Sequence, residues 1–216
     1  MTSTPAPFAA RKTYRHGDLR RVLLEAGIAL ARSGGPEAVV LRAATRQAGV
    51  APNAAYRHFA SRQALLHAVR SAALAAVAQA MEAELAALPA TLTPAERARA
   101  SVRAVGTGYL RFAQAETGLF RTAFGPSDDL EAGTPPDPER AGPGGLNPFE
   151  LLGAALDQLV AAGVMPPERR PGAEFLAWSA VHGLAMLVVA GPLGAVVGPQ
   201  LPQVGQRLLE MVEKGL

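Results

Sequence analysis

The chain has 216 residues, enough for one or two domains with a sizeable core. It has no cysteine, which excludes disulfides and thiolate metal sites, and its abundant alanine with only 5% aromatics argues for helices. A net charge of +3 hides a split: residues 1–70 carry eleven Lys or Arg against Asp18, Glu25 and Glu37, a balance of +8, while residues 71–216 carry ten against fifteen carboxylates, a balance of −5. A basic end suits a polyanionic partner, although a solvated face or a targeting segment also carries such charge. Met1–Ala10 lacks the charged and apolar regions of a signal peptide.

In chain order, residues 1–10 are Thr, Ser, Pro and Ala without periodicity and read as a disordered lead. Arg11-Lys12-Thr13-Tyr14-Arg15-His16 is a basic arm. Asp18 is placed to cap a helix with Leu19, Val22, Leu23, Ala26, Ala29 and Leu30 on its apolar face, and Gly34-Gly35-Pro36 ends it. Leu41–Phe59 reads as two short helices joined by a tight turn. Gly49 can take the left-handed conformation that stops the first helix, Val50 is an apolar anchor, and Pro52 suits the first turn of the second. A helix-turn-helix that lays its second helix in a DNA major groove has this anatomy, as does an ordinary helical hairpin.

Ser61 is a candidate N-cap for a long helix from about Arg62 to Leu88, roughly 40 Å at 1.5 Å per residue. Pro89 stops it. Thr93-Pro94-Ala95-Glu96 is a capping signature for a helix over Pro94–Ala115, and a short piece continues through Gly118–Phe124. Gly125–Pro148, with six prolines and five glycines, predicts a long, irregular, mobile loop. Helices follow over Phe149–Ala162, Ala173–Ala190 and Leu201–Glu213, with breaks at Gly163–Gly172 and Gly191–Pro202. The total is about nine helices, no convincing strand and no internal repeat.

Ala173–Ala190 is apolar enough that a membrane span must be weighed. Ser179, His182 and Gly183 interrupt the run and no basic cluster flanks its end, so burial on all sides, in a core and a subunit interface, explains it better.

The first seventy residues resemble the tetracycline-repressor (TetR) family of transcription regulators. The resemblance is carried by Tyr14-Arg15-His16-Gly17-Asp18-Leu19-Arg20, by Leu41-Arg42 with Ala48-Gly49-Val50, by Ala55-Tyr56-Arg57-His58-Phe59, and by Ser61-Arg62 followed by Leu65-Leu66. Trp178-Ser179-Ala180-Val181-His182-Gly183-Leu184 resembles the penultimate-helix motif of one class of C-terminal regulatory domains in that family, the WHG type. Two positions depart from the pattern. Ala51 stands where a capping Ser or Thr is usual, and Thr45 where a small alanine is usual at the helix crossing.

The resemblance implies an all-α fold. Residues 11–62 would form a three-helix DNA-binding domain with its motif at about 41–59, residues 63–88 a connecting helix, and residues 89–216 a ligand-binding and dimerisation domain. Candidate phosphate contacts are Lys12, Arg15, Arg42 and Arg62. Tyr56 and His58 match family positions that often touch the DNA backbone. Pro52, Asn53, Ala54 and Arg57 lie on or near the recognition-helix surface, where Asn pairs adenine edges, Arg pairs guanine edges and Ala packs on a thymine methyl. Each is also an ordinary residue for a solvated surface. Phe112, Phe120, Phe124, Phe149, Trp178, His182 and Met186 could line an apolar cavity or simply fill a core, and His182 suits a hydrogen-bonded core histidine.

No nucleophile elbow, P-loop, HExxH or metal-spaced histidine pattern occurs, and Gly106-Thr107-Gly108 lacks the rest of a dinucleotide fingerprint, so neither enzyme, metal nor cofactor is expected. The expectation is a cytoplasmic homodimeric regulator, paired through its last two helices and bound to a near-palindromic double-stranded operator. It would be a repressor relieved by a small apolar or amphipathic effector, with no membrane partner. The competing readings are an effector-independent architectural DNA-binding protein and a small helical enzyme or carrier.

Overall fold

The computed structural model describes residues 19–125 and 137–216; the basic arm and Asp18 lie outside them. Among the described residues the secondary structure is helical, without a strand. A head is built from α1 (Leu19–Gly34), a 3-10 turn at Pro36–Ala38, α2 (Leu41–Ala48) and α3 (Pro52–Ala55). The body holds α4 (Arg62–Ala86), α5 (Pro94–Ala115), α6 (Thr117–Phe124), α7 (Pro148–Ala161), α8 (Ala173–Val189), the single turn α9 (Gly194–Val197) and α10 (Leu201–Gly215). Apart from α9, nine helices carry the fold among the described residues, and the sequence boundaries agree within about two residues except at α3, which stops at Ala55 rather than running on to Phe59.

Local chemistry starts these helices. The Ser61 hydroxyl accepts the Ala64 N–H at 3.1 Å. Thr93 and Glu96 form a reciprocal capping box at α5, and Asn147 and Glu150 form another at α7. Prolines at the first turns of α5 and α7 remove N–H groups that the helix could not pair anyway.

α4 belongs to both halves. Its start packs on α1, its length on α5, and its flank on α6 and α7. One hydrophobic core therefore runs without a break from Leu23 through Leu65, Val69, Phe120 and Leu156 to Val212. The head also meets the body through α6. Gly118 sits so close to α1 that a Cβ there would lie 2.3 Å from the Ala31 carbonyl oxygen and 2.4 Å from that of Arg32. Two ion pairs, Arg32–Glu116 at 2.7 Å and Arg121–Glu37 at 3.2 Å, flank this contact.

One expectation needs correction. The described part of the 125–148 loop is ordered against α4. Ser71 donates to Asp137 at 3.0 Å, the Gly144 N–H donates to Glu82 at 3.0 Å, and a 3-10 turn forms at Pro138–Arg140. Its anchors lie more than sixty residues upstream, out of reach of local composition. Within the chain α8 buries Ala173, Ala177, Val181 and Ala185 and leaves Leu176, 68% exposed, and Leu187 outward. α4 is long and apolar enough to cross a membrane, yet half of its most apolar stretch is buried inside the chain.

Candidate nucleic-acid interface and apolar cavity

The helix-turn-helix is built as its residues suggest. Gly49 closes α2 at φ 68°, ψ 30°, and the Val50 N–H reaches back to the Thr45 carbonyl at 3.0 Å. Thr45 is buried at the α1–α2 crossing, but its hydroxyl donates to the Arg42 carbonyl at 3.0 Å. The extra polar atom is thus satisfied inside its own helix. Ala51 supplies only its backbone carbonyl to α3, accepting the Ala54 N–H at 3.0 Å.

Ala55 and Phe59 are buried and pin α3 to the core, and the Arg20 guanidinium lies 5.3 Å over the Phe59 ring. That anchoring leaves Pro52, Asn53, Tyr56 and Arg57 exposed, with Ala54 and His58 half-buried beside them. Arg42 is exposed in the first turn of α2. Arg46, one turn further and also exposed, adds a cation to this face that the motif reading passed over. With Arg42, Arg46 and Arg57 exposed, this face is short and basic. Lys12 and Arg15 lie outside the described residues.

Arg62 has partners within the chain that its sequence assignment did not include. Its Nε donates to the Val39 carbonyl at 2.9 Å and its guanidinium NH2 to the Pro36 carbonyl at 2.8 Å. These carbonyls belong to the turn that delivers α2. The arginine fork fits two backbone oxygens as it would fit a phosphate, and here the protein provides the acceptors. Arg62 therefore fastens the head to α4.

Behind the head, the body holds a partly open cavity of about 400 Å³. α5 lines it with Val102, Val105, Gly106 and Tyr109, one face at helical spacing. α4 contributes Arg70, Leu74 and Met81, and α6 contributes Ala123 and Phe124. The far wall is Phe149 and Leu152 of α7, Phe175, Trp178 and Val181 of α8, and Leu209 and Val212 of α10. Arg140 and Asn147 complete it from the ordered segment that precedes α7.

Of the aromatic candidates, Phe124, Phe149 and Trp178 line this space. Phe112, Phe120, His182 and Met186 do not. Phe120 is fully buried in the core, and Phe112 lies beyond Tyr109, the last wall residue of α5. α8 faces the cavity only through its first half, so Met186 falls past the end. The aliphatic wall and both arginines were missed, because residues from six helices converge only after folding.

His182 is held one layer back. Trp178 Nε1 donates to the Tyr109 hydroxyl at 3.4 Å, and that hydroxyl lies 2.7 Å from His182 Nδ1. A neutral imidazole accepting from the phenol completes the chain. Burial favours this state twice, since desolvation pushes the His182 pKa below its ordinary value and the Tyr109 pKa far above its own. The rings of Phe120, Phe124, Trp178 and His182 stack around them with centroids 4.9–6.4 Å apart.

Two family profiles match the chain. Residues 23–69 match the family profile of bacterial regulatory proteins, tetR family, and residues 102–212 match that of the tetracyclin repressor-like C-terminal domain. The penultimate-helix motif around Trp178 lies inside the second match. Among solved structures, a Rhodococcus sp. RHA1 protein of unknown function is 26% identical, covers 95% of this chain and 99% of its own, and superposes with a TM-score of 0.73. The TetR family transcriptional regulator PfmR of Thermus thermophilus is 20% identical, with 90% and 98% coverage and a TM-score of 0.53, a likeness of fold. No functionally curated protein matches the chain significantly. With more than half of its length matched, and a helix-turn-helix head joined to a helical body, the chain belongs to the TetR family of DNA-binding transcriptional regulators.

Proposed function

We propose that the protein is a cytoplasmic, non-enzymatic repressor that binds a near-palindromic operator as a homodimer and is released by a small apolar or amphipathic molecule. The observation that carries this reading is the cavity of about 400 Å³, whose walls include α4 and α6. Those two helices also hold the head. The volume sits at the lower end of ligand sites, about 300–1,000 Å³. A ligand that reshapes this space acts directly on the elements that orient α2 and α3.

On the head, Arg42 would contact phosphate, joined by Lys12 and Arg15 from the arm, while Asn53, Ala54 and Arg57 would meet base edges. Pro52, Tyr56 and His58 would sit against the DNA backbone. The outward Leu176 and Leu187 of α8 and Met211 of α10 support pairing through these two helices, since large apolar side chains on neighbouring helices need a cover.

The test is a footprint on DNA flanking the protein's own gene, with and without a ligand chosen by thermal-shift screening. The expected result is a symmetric protected site that the ligand clears. A protected site with no stabilising ligand would make the protein effector-independent. Ligand binding without any footprint would make it a carrier or enzyme.

A further inference from the structure

The chain has seven Phe, three Tyr and one Trp, and five of these eleven residues line the one cavity: Tyr109, Phe124, Phe149, Phe175 and Trp178. Most of the remaining wall is aliphatic. Among the described wall residues two are exposed, Phe149 at 39% and Phe175 at 59%. The others are buried or half-buried. The cavity therefore meets the outside between the first turns of α7 and α8, where these two phenylalanines stand.

The rings connect that mouth to the interior. Phe149 and Phe175 touch, with centroids 5.7 Å apart, and Phe149 meets Trp178 at 5.9 Å. Trp178 meets Phe124 at 6.4 Å, and Phe124 meets Tyr109 at 5.4 Å. An unbroken run of rings thus leads from the surface to the buried wall. Leu176 turns outward, while Phe175, about 100° round α8 from it, packs on Phe149. The planes along the run meet at 45–76°, tilted or edge-to-face, so no ring covers another in parallel. Ring faces left unstacked attract the edge or the offset face of a further ring. An aliphatic guest would bury the same wall area without using that directionality. Two large apolar rings in contact at a surface also mark a binding site more readily than a core.

We propose that the cavity takes a flat aromatic molecule, admitted between Phe149 and Phe175 and held against the ring run that passes Trp178. This rests on the cavity being the effector site and narrows its apolar guest to an aromatic one.

The test compares 2-indanol with its saturated counterpart, octahydroinden-2-ol, by calorimetry on the full chain. Each affinity is corrected for the probe's own water-to-cyclohexane transfer free energy, which removes the difference in hydrophobicity. On that scale 2-indanol should bind roughly three- to tenfold tighter, the size of one aromatic pair. Neither probe absorbs at the red edge of tryptophan, so the emission of Trp178, the only tryptophan of the chain, reports occupancy of the cavity. Phe149→Leu and Phe175→Leu keep apolar bulk and lose the ring. Each should lower the preference, and the double variant should remove most of it while leaving the saturated probe's affinity nearly unchanged. Melting temperatures without probe confirm that the variants are folded; should one fail to fold, the wild-type ranking decides alone. Equal corrected affinities, or a preference undiminished in both folded variants, would overturn the aromatic assignment and leave the effector cavity standing. If neither probe perturbs Trp178, the effector reading falls together with the assignment.

Discussion

Replacing Arg62 with alanine separates two roles that one arginine could play at this position. In the structure its guanidinium bridges the carbonyls of Val39 and Pro36 at 2.9 and 2.8 Å. A hydrogen bond from a charged donor contributes about 1.5–3 kcal/mol. Arg62 is only half-buried, so the lower end applies, and losing both bonds should cost about 2–3 kcal/mol. For a chain of this size that is a fall of roughly 4–12 °C in melting temperature. Arg62→Lys should lose nearly as much, because an ammonium keeps the charge but cannot span two carbonyls in a fork. The assay pairs differential scanning calorimetry with operator binding across a salt series, well below the melting transition. Operator affinity should then show an unchanged salt slope. A melting temperature that stays put, together with a slope flatter by about one unit, would refute the fastening role and return Arg62 to the phosphate contacts.

The remaining predictions address the DNA face, the head–body contact and the buried histidine. Arg42→Ala should weaken operator binding across all sequences and flatten the salt slope by about one unit, with little change in melting temperature because the side chain is exposed; unchanged binding at physiological salt counts against the contact. Gly118→Ala should destabilise by about 1–3 kcal/mol, since its Cβ would press on the backbone oxygens of Ala31 and Arg32, which cannot swing aside as a side chain would; a calorimetric scan matching the parent would show that α1 and α6 do not approach this closely. Burial holds His182 below its ordinary pKa, so as pH falls through about 6.5 the unfolded chain takes up a proton that the native state refuses, and stability drops towards the lower native value. His182→Asn keeps an acceptor for Tyr109 but does not titrate, so the melting-temperature gap between wild type and variant should shrink from about pH 7.5 to about pH 5; a constant gap would remove His182 from the acid response.

What could be read from the chain alone follows the range of the interactions involved. Ser61, Thr93 and Gly49 act within three or four residues, so helix starts and stops were visible as spacing. The exposed side of α3 was visible for a related reason: Ala55 and Phe59 repeat at helical intervals and turn Asn53, Tyr56 and Arg57 outward. The fastening bonds of Arg62 were not legible because its acceptors are main-chain oxygens, which every residue has and no side-chain pattern marks. The cavity was half legible. Large rings suggested an apolar space, but a wall is defined by where packing stops, and Leu74, Val105 and Leu209 look like any core residue until six helices leave a gap between them. Asp137–Asn147 looked like a loop because its partners Ser71 and Glu82 sit on a helix far upstream.

α10 is one helix thick between the cavity and the outside. Leu209 and Val212 form part of the cavity wall, Met211 between them is 61% exposed on the opposite side, and Glu213 is gripped by Arg99 and Arg103 of α5. With a second copy docked on that outer side, a ligand and a partner subunit would press on two faces of the same rod. Free energy linkage then runs both ways. Whatever factor the ligand imposes on subunit association, association imposes on ligand affinity, so the apparent dissociation constant of the effector would drift with protein concentration.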